Sequence, residues 1–150
     1  MNKLFTEEWA FVGGVDPDAV LGTNQLTAAI DMSLWEQLCA VVYVGDKGAA
    51  MSINGAFQSS DASGGSYANI TGKAITAFGD QSPLANGSNR AFFVNLRGSE
   101  VTSNNRYVKF SLTLSGSPQA ASDITVIVFG RGRHQPADDN DSAKVAEIVN

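Results

Sequence analysis

The stretch RYVKFSLTLS, Arg106 to Ser115, decides the fold. Its side chains alternate: Tyr107, Lys109, Ser111 and Thr113 face one way, and Val108, Phe110, Leu112 and Leu114 the other. A period of two belongs to a strand, and one polar and one apolar face belong to an antiparallel sheet that packs on a core with one side only. Working outward, DITVIVFGR (123–131), RAFFVNLR (90–97) and LCAVVYV (38–44) are short, apolar and β-branched or aromatic, as strands are. In MSINGAFQSS (51–60), Met51, Ile53, Gly55 and Phe57 share a face, and Gly55 reads as a bulge. ANITGKAITAF (68–78) reads as one or two short strands with Ile70, Ile75 and Ala77 inward. QLTAAIDM (25–32) places Leu26, Ala28, Ile30 and Met32 on one side. SLWEQL (33–38) reads as one helical turn capped by Ser33, with Glu36 three residues on.

Between these runs stand turn clusters: GDKG (45–48), SDASGGSY (60–67), GDQSPLANGSN (79–89), GSEVTSNN (98–105) and GSPQAAS (116–122). No long helical period intervenes. Short strands at this spacing predict an all-β fold, an antiparallel β-sandwich with jelly-roll or Greek-key connections, over residues 24–133. Residues 1–23 have no clear period but carry Phe5, Trp9, Phe11 and Val12, too many large apolar groups for a polar leader; they read as an extended arm that docks on its own domain or on another subunit. Residues 134–150 read as a C-terminal tail, extended or with a short helix that places Val145, Ile148 and Val149 on one side.

The chain has 150 residues, enough for one domain with its own core. Its net charge of −5 opposes a general attraction to nucleic acid, since phosphate binding needs a concentrated positive field and Arg131 and Arg133 make only a small patch. Cys39 is the single cysteine, so no intrachain disulfide forms; within LCAVVYV it reads as a buried core thiol. No stretch is apolar for long enough to span a membrane as a helix, and Glu7 and Glu8 stand where a signal peptide needs its apolar centre, so an intracellular product is expected.

Strong chemical motifs are missing. His134 is the single histidine, and no G-x-S-x-G elbow presents a serine to it. A zinc site needs several Cys or His ligands, and the chain has one of each. Asp138, Asp139, Asn140 and Asp141 fail the calcium-loop spacing and read as a solvated acidic turn; Asp16 and Asp18 would complete an oxygen cage only if the fold joined the termini. Glu100 and Asp123 sit at strand edges or turns. The expectation is a binding or structural protein, not an enzyme, with no catalytic, cofactor-binding or metal residues. The candidate interface residues are Phe5, Trp9, Phe11, Trp35, Arg131 and Arg133, because Trp and Arg anchor interfaces; for Trp35, burial between the sheets is the stronger reading.

The order DMSLWEQLCAVVYVGDKGAAMSINGAFQSS, ANITGKAIT, FFVNLRGSEV, RYVKFSLTLSG and ASDITVIVFGRGRHQPADDNDSAKVAEIV resembles the head decoration, or capsid cement, proteins of tailed bacteriophages, over roughly residues 24–150. The first 23 residues fit least well. The resemblance implies a virion protein on the capsid exterior, made in the host cytoplasm. It would bridge adjacent major capsid proteins on the expanded shell as a homo-oligomer, with a trimer favoured, without cofactor, nucleic acid or membrane. Two other readings stand beside it: another virion part such as a tail or adaptor β domain, and a carbohydrate-binding module. The last wants exposed aromatics in a row, for which Tyr67 and Tyr107 are available while Tyr43 reads as bound in the core.

Overall fold

The computed structural model describes residues 3–17, 24–45, 51–75, 90–116, 123–132, 140 and 144–147. A single turn of helix, α1 (Phe5–Glu8), leads into β1 (Trp9–Val15). Then come β2 (Asn24–Leu26), β3 (Ile30–Asp31), β4 (Trp35–Val44), β5 (Met51–Ser60), β6 (Ala68–Ala74) and β7 (Arg90–Arg97). A 3-10 turn (Gly98–Glu100), β8 (Tyr107–Gly116) and β9 (Ile124–Gly132) follow. The strands form two antiparallel sheets, one in the order β1-β9-β4-β7 and one in the order β2-β8-β5-β6 with β3 also on β8. The protein is an all-β sandwich.

The alternation of β8 sets the core. Val108, Phe110, Leu112 and Leu114 point inward from one sheet, joined by Ile53 and Phe57 of β5. Leu38, Ala40, Val42 and Val44 of β4, Leu96 of β7, and Ile124, Val126 and Val128 of β9 meet them from the other. Phe57 and Phe110 are cross-strand partners and pack edge to face, with ring centroids 5.1 Å apart. Such a pair adds about 0.5–1.5 kcal/mol beyond the area it buries.

Gly55 is not a bulge. The β5–β8 register runs through it unbroken, and the register shift of β5 falls against β6, between Ala56 and Gln58. Glycine is needed there because a Cβ would lie 2.8 Å from Phe110 Cζ. Gly130 is likewise a close approach, with the Trp35 ring 2.7 Å from where a Cβ would be.

Three other expectations need correction, and one takes a definite form. The N-terminal segment docks on its own domain as part of the sandwich, since Trp9–Val15 is an edge strand of the four-stranded sheet, paired with β9 from Trp9↔Arg131 to Val15↔Val126. A bulge between Phe11 and Gly13 breaks its alternation, which hid the strand. The SLWEQL turn is a tight turn in which Leu34 N–H donates to Asp31 O (3.1 Å) and Ser33 N–H to Asp31 Oδ1 (2.9 Å); Glu36 already belongs to β4. In QLTAAIDM the period fails: Leu26 is 47% exposed and Ala28 is exposed, while Thr27 is buried with Ile30 and Met32. Thr27 faces inward because its Oγ1 accepts from Phe110 N–H (2.9 Å) and donates to Ala28 O (3.2 Å), standing in for ladder bonds where β2 gives way to β3. Cys39, finally, is half-buried on the outer side of β4 and not in the core; burial pushes its thiol up, away from the reactive thiolate.

Charged pairs fasten the loops. Arg106 Nε donates to Asp31 Oδ1 (2.8 Å) and its Nη2 meets Asp31 Oδ2, tying the chain before β8 to the β3 turn. Lys73 Nζ reaches Glu100 Oε2 (2.7 Å) and Asn95 O (3.0 Å), so β6 of one sheet is bound to the edge of β7 in the other. On the opposite edge, Asn140 Oδ1 accepts from Phe11 N–H (2.8 Å) and Lys144 pairs with Asp16. The tail thereby covers part of the β1 edge, which would otherwise invite another strand. Residues 144–147, where a short tail helix is one expectation, form a turn followed by irregular chain, which fits the extended alternative there; the other residues of 134–150 except Asn140 lie outside the described residues.

The Asp31 pair makes a testable pH dependence. The Arg106 guanidinium bound to Asp31 holds its carboxyl well below the ordinary 3.8. The unfolded chain therefore binds the proton first, and stability from this group is complete above about pH 4 and lost as pH falls through the depressed folded value. Melting temperatures at pH 7 and pH 3 should differ less in Asp31→Asn than in the native protein; equal differences would contradict the assignment.

Candidate functional site: the outer face of the four-stranded sheet

Strand register places the sequence candidates. Side chains of the four-stranded sheet that do not enter the core stand in cross-strand rows on its outer face. One row is Trp9, Arg131, Gln37 and Arg97; the next is Phe11, Phe129, Cys39 and Asn95. A third is Gly14, Ile127, Val41 and Phe93, and a fourth Thr125, Tyr43 and Ala91. Outward positions of a solvated antiparallel sheet are ordinarily polar. Here the second and third rows are almost wholly apolar. Phe93 is 66% exposed and Tyr43 45%. Tyr43 is thus not held in the core, as its apolar run suggested.

The N-terminus adds to this face. Helix α1 is closed by Glu7, whose N–H donates to Leu4 O (3.0 Å) and whose Oε2 accepts from Leu4 N–H (2.8 Å). That turn brings Phe5 back over β9, edge to face with Phe129 at 5.2 Å and stacked on Trp9 at 6.2 Å. Phe11 meets Phe129 from the other side at 6.4 Å. Phe5, Trp9, Phe11 and Phe129 form one aromatic cluster, yet Phe5 remains 56% exposed.

Arg131 and Arg97 stand at the end of the face beside this cluster, separated by Gln37. Among the described residues no salt bridge engages Arg131, while Lys73 holds the Glu100 carboxyl below its ordinary value and Arg97 lies near enough to help. A polar depression opens there, lined by Glu36, Gln37, Arg97, Gly98 and Ser99. Exposed apolar area with cations at its margin sets this face apart from an ordinary solvated sheet.

The structure thus brings four of the six candidates together: Phe5, Trp9, Phe11 and Arg131. It removes Trp35, which is 5% exposed and lies against Gly130 inside the sandwich. Arg133 lies outside the described residues, as do His134, Asp18, Asp138, Asp139 and Asp141. Asp16 is engaged by the Lys144 amine, and Glu100 accepts from Lys73 and from Arg97 N–H, so each already has a structural partner. Among the described residues no group of three or more Cys, His, Asp or Glu side chains gathers for a metal, and no helix is long and apolar enough to cross a membrane.

Sequence reasoning missed Phe129, Phe93, Ile127 and Val41. Each sits in an unbroken apolar run, where the outward residue of a strand looks like the inward one. Phe93 had a signal, since Phe92 and Phe93 are adjacent and a strand cannot bury both on one face. Comparison with protein-family models, with curated proteins and with solved structures finds no match to this chain.

Proposed function

We propose that this chain is a structural protein of a tailed-bacteriophage virion. In this reading it binds the outer surface of the capsid, bridges neighbouring major capsid proteins and stabilises the mature shell, acting as a homo-oligomer with a trimer favoured. The observation that carries the proposal is the apolar outer face of the four-stranded sheet, with its aromatic cluster and its two arginines. A face of that kind is characteristic of a surface that another protein covers. The crossing order β1-β9-β4-β7 over β2-β8-β5-β6 reads as a jelly roll, an architecture used by viral capsid and lectin domains. That is an analogy of fold and supports the function without carrying it. The resemblance in strand order and terminal sequence points the same way.

The physics of such a role is mass action. A ligand that binds only the expanded lattice stabilises that lattice, and contacts repeated around a shell reinforce one another. The test is co-sedimentation of the purified protein with compact and with expanded shells of its source virus. Saturable binding to expanded shells is expected. Absence of binding to either form would overturn the proposal.

A further inference from the structure

The opposite side of the sandwich has a different chemistry. The outer face of the five-stranded sheet presents Asn24, Thr113 and Asn54 in one row, and Leu26, Ser111, Ala56 and Ala74 in the next. Lys109, Gln58 and Asn69 form a third row. Toward β6 the middle row has the small side chains of Ser111, Ala56 and Ala74 between the amides of the rows on either side, and the surface there is hollowed into a groove of about 400 Å³ that also reaches Gly55 and Ile75. Asn54, Gln58, Asn69, Ser111 and Thr113 line it, with Ala56 in its floor.

Two of these amides, Gln58 and Asn69, hold each other in place. Gln58 Nε2 donates to Asn69 Oδ1 (2.8 Å), which leaves the Gln58 carbonyl as acceptor and the Asn69 amide as donor. Ser111 Oγ donates to Asn24 Oδ1 (2.9 Å). A fixed carboxamide offers a donor and an acceptor about 2 Å apart on one plane, a match for adjacent hydroxyls that each donate and accept. Among the described residues that line the groove there is no carboxylate, lysine or arginine, and Lys109 in the adjoining row is held over the Tyr67 ring. That set selects a neutral ligand over a phosphate, which would want Arg or Lys, and over a cation, which would want acids.

We infer that this groove binds a neutral oligosaccharide through Asn54, Gln58 and Asn69. It does not do so by an aromatic row. Tyr43 lies on the other sheet, Lys109 Nζ sits 4.4 Å from the Tyr67 ring centre, and Arg106 lies 5.5 Å from the Tyr107 ring centre. Hydrogen bonding without broad stacking predicts weak affinity, in the range of about 0.1–10 mM, which repetition on an assembly would raise. The inference does not depend on capsid binding, which uses the other face.

The test is a two-dimensional NMR titration of the full chain with cellohexaose, chitohexaose and mannohexaose, and with hyaluronan hexasaccharide as the anionic comparison. Saturable shifts of the Asn54, Gln58 and Asn69 side-chain amides with at least one neutral sugar are expected. Asn69→Ala and the groove-filling Ala56→Trp should each weaken that response at least tenfold, and an Asn69→Ala melting temperature close to native would separate binding from folding. The inference is overturned by no saturable shift with any neutral sugar up to about 10 mM. It is overturned equally by shifts that map to another face, by a response to hyaluronan alone, or by an undiminished response in Asn69→Ala.

Discussion

Phe110→Ala should destabilise the protein by about 3–5 kcal/mol, the largest loss expected from any single truncation here. The ring is fully buried, and its strand is the one to which β2, β3 and β5 all pair. Its removal leaves Phe57 without its edge-to-face partner and Gly55 without the ring that fills its missing side chain. No small neighbour can refill the space, because the closest position is itself a glycine. A domain holds only about 5–15 kcal/mol in reserve, so much of the native stability should go. Urea unfolding measures this directly as a fall in midpoint at unchanged slope. A loss under about 1 kcal/mol would mean that the two sheets do not close on this ring.

Gly130→Ala should be the second large effect, and for the opposite reason. One added methyl would lie 2.7 Å from Trp35 Cε3 and 3.0 Å from Val12 Cγ1, closer than carbon atoms pack. The strand cannot yield easily, because β9 is paired on both sides, to β1 and to β4. Overpacking of this kind costs about 1–3 kcal/mol. The indole is the softer partner and should be pushed from its buried seat. In a Trp9→Phe background, Trp35 supplies the only indole emission, and Gly130→Ala should shift that emission to the red. Unchanged emission and unchanged stability would contradict the placement of Trp35 inside the sandwich.

The fold was legible because strand period is a local signal and β8 carries it without interruption. RAFFVNLR, LCAVVYV and DITVIVFGR were legible as strands for the same reason, but not their two faces. Where Val, Ile and Phe occupy both sides, hydropathy cannot say which side meets the core. The outer apolar face was therefore invisible until register was known. β1 was hidden by its bulge, which shifts Phe11 and Gly13 out of step. The QLTAAIDM reading failed because the Thr27 hydroxyl accepts from Phe110 N–H in place of a backbone carbonyl, an exchange that only the partner strand reveals. Gly55 looked like a backbone device, but it is space left for an aromatic ring from elsewhere in the chain, as Gly130 is too.

The candidate site was half legible. Phe5, Trp9 and Phe11 stood out as large apolar residues with no periodic strand to explain them. Arg131 stood out by charge in a chain with few cations. Their meeting on one face depends on β1 pairing with β9, a contact across more than a hundred residues that composition cannot foresee. Trp35 fits the same residue preferences but starts an inward-facing run, and burial between the sheets, the stronger of its two readings, is where it lies.

The central claim is that the outer face of the four-stranded sheet is the docking surface. The most direct measurement is co-sedimentation with expanded shells for the native protein, for the double variant Phe5→Glu with Phe93→Glu, and for Ser103→Glu in the exposed loop before β8. Phe93 is mostly exposed and Phe5 gives up only its ring contacts to Trp9 and Phe129, so the double variant should stay folded with a modest fall in melting temperature. Burying those charges at an interface should weaken binding at least about 30-fold, the loss of a single aromatic anchor worth about 2 kcal/mol. Ser103→Glu should bind as the native protein does. Native-like binding by the folded double variant would contradict the account and assign the shell contact to another surface.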